Sequence, residues 1–471
     1  MNETGTRTVE VDVAVIGAGT AGLAAYRAAK KQGKTALLIE AGAHGTTCAR
    51  VGCMPSKLLI AAAEAAHHAR HASPFGVKAG VEVDGRAVMD RVRRERDRFV
   101  GFVLEGVDNI PSEDHLTGHA RFVGPDELDV DGVRVQARTV VIATGSSPFI
   151  PSMFDPIRDR LIVNDDVFAW DDLPESVAVF GAGVIGLELG QALHRLGVRV
   201  RVFGRNGTVG PINDSVVKEA AVAAFREELD VDFDANVRAV EPEGKTGVAV
   251  RWVDADGNER VEHFAAALIA AGRRPNVTKL DIERAGIGPD ATVDRTTLRW
   301  VDSHVFVAGD ANDDVPLLHE AADEGAIAGE NAARYPDTRR GKRRTLLSIA
   351  FTEPALAVVA GGFPAVSARG PFVAGEIDFG NQGRSRIMLQ NKGAARLYAD
   401  PATRRFLGAE IAGPRAEHLA HLLAWAHQAE LTIDQMLAMP FYHPVVEEGL
   451  RTALRDVAAK LDSRATAGGT K

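Results

Sequence analysis

Short apolar runs that end in glycine alternate with alanine-rich amphipathic stretches along much of the chain. Residues 11–16 (VDVAVI) predict a buried parallel strand, because the run is short, apolar and rich in β-branched side chains. The alanine-rich stretch 17–33 predicts a helix, and residues 36–39 predict a second strand. This order of elements predicts a βαβ unit at the start of the chain.

The same pattern returns in the middle of the chain. A second βαβ unit is predicted from residue 177, with its second strand at 199–203. The region that contains it is predicted to end near 268–276. A third apolar strand, VFVAGD at 305–310, leads into a helix predicted from about residue 316. After residue 345 the glycine-rich pattern stops, so a different kind of domain is expected there.

Length and charge narrow the class of protein. A chain of 471 residues is too long for a single core, and two to four domains are expected. The net charge of -9 argues against nucleic acid as a partner. No apolar run reaches the roughly 20 residues that span a bilayer, so no membrane partner is expected. The N-terminus lacks a basic-then-apolar signal, and we expect a cytoplasmic protein.

The first glycine motif, GAGTAG at 17–22, follows a predicted strand and precedes a predicted helix. Gly17 permits a tight turn, Gly19 lets the backbone approach a pyrophosphate, and Gly22 lets the helix pack on the strand. Glu40 ends the next strand, where an acid can bind ribose hydroxyls. A lone GxGxxG is weak evidence, but this context predicts a dinucleotide site.

A second motif, GAGVIG at 181–186, lies in the same context and contains Gly181, Gly183 and Gly186. The chain is therefore predicted to be α/β, with two Rossmann-like dinucleotide-binding domains. The position that holds the ribose-binding acid in NAD sites is here Gly204, followed by Arg205. An arginine attracts a 2′-phosphate, which favours NADP(H) over NAD(H). The alternative interpretation is a turn glycine followed by a solvated arginine that binds no cofactor.

Cys48 and Cys53 are the two cysteines of the chain, and they lie five positions apart. This number does not suit a disulfide scaffold or a zinc site, and no metal site is expected. From composition alone, two buried thiols and a redox pair are equally good interpretations. Exchange with a disulfide needs one attacking thiolate and one resolving thiol, which this spacing provides. With two dinucleotide sites, a redox pair predicts an electron relay through a flavin and a nicotinamide.

A thiol relay also needs a proton carrier. His443 has a carboxylate, Glu448, five residues further on, and such a pair can exchange protons near neutral pH. Surface histidines and solvated glutamates are common enough to produce the same pattern. Asp310, at the end of VFVAGD, could accept a hydrogen bond from a flavin ribityl hydroxyl, although an aspartate there is more often a helix cap.

Seven motifs together resemble one family over about residues 10–460: GAGTAG, CARVGCMPSK, VVIATG, GAGVIGLELG, AAGRRPN, VFVAGD and HPVVEE. The chain resembles the class I pyridine nucleotide–disulfide oxidoreductases, and Pro55-Ser56-Lys57 follows the form of the dihydrolipoamide dehydrogenases. The resemblance implies a homodimeric FAD enzyme whose C-terminal α+β domain dimerises. It implies an FAD-binding domain from 1–150 and 277–345, a NAD(P)-binding domain at 151–276 and a dimerisation domain at 346–471.

The resemblance also implies individual roles. Cys48 would meet the substrate, Cys53 would contact the flavin, and Lys57, paired with Glu188, would sit near flavin N5. His443 and Glu448 would form the base pair and reach the active site of the other subunit. The implied cofactor-binding positions are Gly17, Gly19, Gly22, Glu40, Thr47, Thr144, Gly145, Gly181, Gly183, Gly186, Arg205, Gly272, Asp310 and His319.

Four positions depart from the family pattern: Thr46 and Arg50 replace a glycine and an asparagine, Phe441 replaces a histidine, and Gly204 replaces an acid. We hypothesise that the charge of Arg50 favours a thiolate in the redox loop. The primary interpretation is transfer of electrons from a dihydrolipoyl group to NAD(P)⁺. Two alternatives stay open: an NADPH-dependent reductase of another small disulfide, and a mainly structural subunit docked in a 2-oxoacid dehydrogenase assembly.

Overall fold

A computed structural model describes residues 7–288 and 290–468, with side chains through residue 464. The strands in chain order are β1 (Thr8–Ile16), β2 (Ala36–Glu40), β3 (His115–Thr117), β4 (Ala120–Gly124), β5 (Glu127–Val130), β6 (Val133–Ile142), β7 (Ser146–Pro148), β8 (Leu161–Ile162), β9 (Ser176–Phe180), β10 (Arg199–Phe203), β11 (Asp230–Asp232), β12 (Asn236–Glu243), β13 (Gly247–Val253), β14 (Glu259–Phe264), β15 (Ala266–Ile269), β16 (Arg273–Pro275), β17 (Val293–Asp294), β18 (Arg299–Trp300), β19 (Val305–Val307), β20 (Leu347–Ala350), β21 (Ala355–Val359), β22 (Val373–Asp378), β23 (Ala394–Ala399) and β24 (Phe406–Gly413).

The α-helices lie between these strands or after the last of them, singly or in groups, and the last helix ends the described chain. They are α1 (Thr20–Lys31), α2 (Thr47–Val51), α3 (Cys53–Arg70), α4 (Gly85–Asp108), α5 (Asn164–Val167), α6 (Val184–Arg195), α7 (Ser215–Glu228), α8 (Leu318–Arg334), α9 (Gly362–Arg369), α10 (Gly383–Met388), α11 (Ala416–Gln428), α12 (Ile433–Leu437) and α13 (Glu448–Gly468). None of the helices within the described ranges is long and apolar enough to cross a membrane.

The chain divides into two compact units, and the first comprises residues 1–55, 92–149 and 273–344. Its sheet has the order β17-β18-β19-β6-β1-β2-β3, with β5 paired to β6 and β4 paired to β5. Strands β19, β6, β1, β2 and β3 are parallel, as the predicted βαβ unit requires. Because β1 lies in the middle of this sheet, its residues 13–16 are buried, and the turn that follows it lies at the carboxyl edge of the sheet.

The second unit comprises residues 56–91, 150–272 and 345–471. One of its sheets is parallel, with the order β11-β10-β9-β15-β8, and β9 leads into α6 as the second glycine motif predicts. A three-stranded antiparallel sheet of β12, β13 and β14 packs its apolar face against the aromatic side chains of Phe180 and Phe203.

The C-terminal part of the second unit has the different architecture that its sequence predicts. Its antiparallel sheet has the order β20-β21-β24-β23-β22, and α11 and α13 contribute to the same apolar core. The mixed α/β and α+β organisation therefore agrees with the predicted fold class. The bounds of the four predicted domain segments stay a prediction.

Candidate functional site

The first glycine motif forms the turn between β1 and α1. Gly17 has φ +106°, a conformation that side chains disfavour, and a Cβ there would lie 2.3 Å from the carbonyl oxygen of Ala143. A Cβ on Gly22 would lie 1.8 Å from the carbonyl oxygen of Gly17. Gly19 precedes α1 without a side-chain cap, so the first N–H groups of the helix are open to an anionic ligand.

Glu40, at the end of β2, is fixed by backbone donors from two directions. Its Oε2 accepts a hydrogen bond of 2.7 Å from the N–H of Ala18, inside the glycine turn. Its Oε1 accepts one of 2.8 Å from the N–H of Gly42. An ionised carboxylate has about four lone-pair sites, so acceptor capacity remains for ribose hydroxyls.

Asp310 lies in a short 3₁₀ turn, Gly309–Asn312, directly after β19. The Ser146 hydroxyl donates to its Oδ2 at 2.6 Å, and Arg273 Nε donates to that hydroxyl at 2.8 Å. Sequence reasoning named neither Ser146 nor Arg273, although they fall in or beside the quoted VVIATG and AAGRRPN segments. Asp310 is therefore part of a hydrogen-bonded chain and is not the cap of α8.

A buried carboxylate supports the turn that carries Asp310. Glu324, fully buried in α8, accepts hydrogen bonds on Oε2 from the N–H of Gly309 at 2.8 Å and from Asn312 Nδ2 at 2.7 Å. Burial raises the pKa of Glu324 to about 7, although Arg343 lies 2.9 Å from its other oxygen. Sequence reasoning missed Glu324, because its role depends on contacts across the fold.

The two cysteines lie in two consecutive helices, α2 and α3, which are separated by one residue. Cys48 is the second residue of α2 and is half-buried, whereas Cys53 begins α3 and is exposed. The guanidinium of Arg50 donates to the carbonyl oxygen of Ala43 at 3.0 Å. This contact ties Arg50 to the segment before α2, and its effect on the thiols stays a hypothesis.

Thr46, which caps α2, has a strained backbone. Its φ of 59° and ψ of 150° lie in a region that is almost confined to glycine. Its hydroxyl compensates in part by accepting a hydrogen bond of 3.3 Å from the N–H of Ala49. The family glycine at this position therefore has a conformational reason, and this chain departs from it at an energetic cost. Thr47, the next residue, begins α2.

Replacing Thr46 with glycine is expected to stabilise the protein. Relief of strain outweighs loss of the cap to glycine, so the free energy of unfolding should rise by about 1 kcal/mol. Denaturant unfolding of the FAD-loaded protein measures this change. Thr46→Ala is the matched control, because it keeps the Cβ and loses the cap, and it should lower stability. A T46G protein no more stable than wild type would contradict the assigned strain.

The second glycine motif repeats the geometry of the first between β9 and α6. Gly181 has φ +117°, and its Cβ would lie 2.3 Å from the carbonyl oxygen of Ala270. A Cβ on Gly186 would lie 1.9 Å from the carbonyl oxygen of Gly181. Gly183 precedes α6 without a side-chain cap, and Gly272 follows β15 with φ +107°. The second unit thus contains an independent turn suited to a pyrophosphate.

Gly204, directly after β10, has no space for a side chain. A Cβ there would lie 2.8 Å from Cα of Phe233 and 2.9 Å from the carbonyl oxygen of Asp232. The N–H of Gly204 donates to that same carbonyl oxygen at 2.6 Å. The usual acid is therefore excluded by backbone packing, and the next side chain, Arg205, is exposed.

Lys57 and Glu188 form an ion pair in the second unit. Lys57 Nζ lies 2.7 Å from Glu188 Oε2 and 2.9 Å from Oε1. The Glu188 side chain is 5% exposed, and that of Lys57 is 33% exposed. Glu188 also accepts a hydrogen bond of 2.8 Å from the N–H of Phe351. The carboxylate is thus compensated by charge and by backbone, as a buried charge requires.

His443 and Glu448 are brought together at the start of α13. His443 Nδ1 lies 3.0 Å from Glu448 Oε2, and Arg451 donates to Oε1 at 2.9 Å. The hydrogen bond from His443 lowers the pKa of Glu448, so the carboxylate is ionised at neutral pH. Because a carboxylate only accepts, a neutral imidazole that makes this hydrogen bond donates from Nδ1, and its Nε2 is then the acceptor nitrogen. The imidazole is 80% exposed.

Thr144 Oγ1 and His319 Nε2 are among the polar atoms of the first unit that are buried without a hydrogen-bond partner in the described part of the chain. The nearest acid to His319 Nε2 is Glu320 at 3.8 Å. Gly145, beside Thr144, has φ +68°. Buried polar atoms normally have partners, so these atoms are candidates for ligand contacts.

Comparison with known proteins identifies the family. The profile described as "Pyridine nucleotide-disulphide oxidoreductase" matches residues 11–325, and its dimerisation domain matches residues 347–454. The chain belongs to the pyridine nucleotide–disulphide oxidoreductases, which are enzymes that use FAD and a pyridine nucleotide.

The relatives are named more narrowly. The dihydrolipoyl dehydrogenase of Halobacterium salinarum is 30% identical over 94% of this chain and 95% of its own. That of Thermus scotoductus is 31% identical over 94% and 96%. Among solved structures, LpdA from Mycobacterium tuberculosis has a TM-score of 0.78 at 25% identity, over 94% of this chain and 99% of its own. The HOCl-induced flavoprotein disulfide reductase RclA from Escherichia coli has a TM-score of 0.79 at 20% identity, over 95% and 99%, which shows the shared fold.

FAD fits the residues of the first unit. The uncapped helix after Gly19 suits a pyrophosphate, and the Glu40 carboxylate suits ribose hydroxyls. Thr144 Oγ1 and His319 Nε2 are buried polar atoms that need a partner, which a flavin nucleotide can provide. Asp310 retains acceptor capacity beside its bond to Ser146.

Proposed function

We propose that this enzyme is a homodimeric dihydrolipoamide dehydrogenase that transfers electrons from a dihydrolipoyl group to NAD(P)⁺. One substrate thiolate attacks the Cys48 sulfur of the Cys48–Cys53 disulfide and releases the Cys53 thiolate. His443 Nε2 takes the proton of the second substrate thiol, which attacks the mixed disulfide and releases Cys48. The substrate leaves as a disulfide, and the cysteine pair has gained two electrons. Bound FAD supplies the path for these electrons to the nicotinamide.

The observation that carries this proposal is the His443–Glu448 pair. Electron transfer to a quinone or a metal ion needs no base that serves thiols, whereas each oxidation of a dithiol releases two protons. A carboxylate that holds Nδ1 fixes the tautomer and leaves Nε2 to accept a proton from a thiol. The pair therefore also argues for an active enzyme and against a mainly structural docked subunit.

Exposed apolar side chains support the homodimer. Trp425 is 69% exposed on α11, with Leu422 one turn before it at 44%, and Tyr442 beside the base is 80% exposed. All three lie in the segment that matches the family dimerisation domain. Apolar groups of this size commonly mark an interface with another chain. A second copy would bury them and would receive the exposed imidazole of His443.

A cytoplasmic location is part of the same proposal. The two cysteines of the chain fit a catalytic pair better than a disulfide scaffold, and catalytic pairs are the usual form of disulfide chemistry in cytosolic proteins. Fractionation of the source cells, followed by detection of the protein in the cytosol, tests it.

A second candidate is an NADPH-dependent reductase of another small disulfide. Gly204, where an acid is sterically excluded, and exposed Arg205 favour it, because both suit a 2′-phosphate. Steady-state assays of NADH and NADPH with lipoamide and with glutathione disulfide separate the two. If lipoamide supports no turnover with either cofactor, the primary proposal fails.

Replacing Arg205 with alanine tests the nicotinamide preference. A charge-assisted hydrogen bond to a phosphate would be lost, so kcat/KM for NADPH should fall about tenfold while that for NADH stays unchanged. Arg226→Ala, on the exposed face of α7, is the matched control because it removes one positive charge from the same unit. Equal losses with both cofactors, or no loss with NADPH, would contradict a contact with the 2′-phosphate.

A further inference from the structure

Phe351, directly after β20, contacts both members of the Lys57–Glu188 ion pair. Lys57 Nζ lies 4.6 Å from the centroid of the Phe351 ring, within the range of a cation–π interaction. The backbone N–H of Phe351 donates to Glu188 Oε1 at 2.8 Å. Each of the three residues therefore contacts the other two.

The backbone at Phe351 is fixed by two side chains of α6. Glu188 accepts from Phe351, and Gln191, three positions further along the same helix face, accepts from the N–H of Glu353 at 2.8 Å. Gln191 Nε2 also donates to the carbonyl oxygen of Glu353 at 2.8 Å. The segment 351–353 is thus held along α6, and this contact places the aromatic ring.

Hydrophobic burial alone does not explain why an aromatic side chain lies at position 351. Phe351 is 39% exposed, so it gains less from the hydrophobic effect than a core phenylalanine does. Lys57 is bound to one carboxylate and is 33% exposed, which leaves its ammonium free to tilt toward water. The ring covers one side of that ammonium and restricts this movement.

We propose that Phe351 is a positioning residue that holds the Lys57 ammonium in one place and limits its hydration. This inference rests on the proposed position of Lys57 beside the flavin. A fixed, less hydrated cation there stabilises negative charge on the reduced flavin. Loss of the ring should shift electrons from the flavin to the cysteine pair in the two-electron-reduced enzyme.

Anaerobic reductive titration of the FAD-loaded dimer tests this role through flavin absorbance. Phe351→Leu keeps apolar bulk and the backbone N–H but removes the aromatic face. It should shift the flavin–dithiol equilibrium away from reduced flavin by roughly two- to fivefold. Phe351→Tyr retains an aromatic face and should match the wild type. FAD content and melting temperature, measured on each variant, separate this shift from a loss of folding.

The double variant Lys57→Met/Glu188→Gln tests the proposed position of Lys57 beside the flavin independently of the role of Phe351. It removes both charges, so no buried carboxylate is left without its partner. An equilibrium unchanged in this variant would show that Lys57 does not act on the flavin, and the proposed site would fail. If this variant shifts the equilibrium and Phe351→Leu does not, only the role of Phe351 is overturned. A Phe351→Leu shift that disappears in the double-variant background supports it.

Discussion

Replacing Cys48 with serine is expected to abolish lipoamide-dependent oxidation or reduction of the nicotinamide. A serine hydroxyl neither forms the mixed disulfide nor closes the disulfide with Cys53, so thiol exchange has no route. Electron transfer from the nicotinamide to an artificial acceptor such as ferricyanide should persist, because it needs the flavin and not the thiols. Parallel assays with lipoamide and with ferricyanide measure both activities on one preparation.

Cys53→Ser is the matched control, and absorbance distinguishes the two variants. Both should lose lipoamide turnover. Cys48→Ser keeps the thiol assigned to the flavin contact and should show long-wavelength charge-transfer absorbance, whereas Cys53→Ser should lack it. The reverse result would exchange the two assigned roles. Lipoamide turnover by Cys48→Ser would refute the proposed function.

Replacing His443 with glutamine is expected to lower lipoamide turnover by about 10²- to 10⁴-fold, the usual contribution of a general base. The exposed Nε2 is the proposed proton acceptor, and a glutamine amide cannot replace it near neutral pH. Flavin reduction by the nicotinamide involves no thiol proton, so its rate should stay unchanged. Stopped-flow measurement of each half-reaction locates the loss. Equal slowing of both half-reactions would contradict a role as thiol base.

Glu448→Gln tests whether this carboxylate orients His443. The pKa shift of Glu448 also gives the sign of the pH dependence of the pair's stabilisation. Its hydrogen bond from His443 lowers the pKa of Glu448 below the ordinary 4.5, so the carboxylate form is favoured in the folded protein. The stabilisation from the pair is present above the ordinary pKa and is lost as the pH falls through the lowered pKa. Turnover should fall about tenfold in Glu448→Gln, and the contribution of this pair to the acid loss of stability, measured by denaturant unfolding at several pH values, should be absent in that variant.

Hybrid dimers test whether the base acts across subunits. Cys48→Ser and His443→Gln homodimers are each inactive with lipoamide, but a mixed dimer would contain one complete site. Random reassociation of equal amounts should restore roughly a quarter of the wild-type activity. Mixing without dissociation is the control. No recovery after verified exchange of subunits would place His443 in the active site of its own chain.

The regular elements of both nucleotide-binding units could be predicted from the sequence. Apolar runs such as residues 13–16 and 177–180 have no polar alternation, which is typical of strands covered on both faces. The turns at Gly17 and Gly181 could also be predicted, because the chain adopts a backbone conformation there that only glycine adopts easily. These features depend on neighbours in the sequence, so local pattern was enough.

Contacts between distant segments could not be predicted in this way. Ser146 and Asp310 lie 164 positions apart, and Gln191 and Glu353 lie 162 apart, so no periodicity links them. The steric reason for Gly204 depends on β11 reaching beside β10, which only the fold brings about. The roles of Lys57 and Glu188 came from family resemblance, whereas the His443–Glu448 pair was suggested by the sequence and then assigned by that resemblance, and the structure supplies the distances. Their catalytic roles stay predictions.

The close packing at Gly204 has a consequence for redesign of this enzyme. A single exchange that introduces a carboxylate at this position, the obvious route to NADH, would drive a side chain into the backbone at 232–233. An engineer would have to begin at Arg205, whose side chain is exposed, and leave the glycine untouched. A single substitution can therefore change the nicotinamide preference at Arg205, where the backbone leaves room for a different side chain, but not at Gly204.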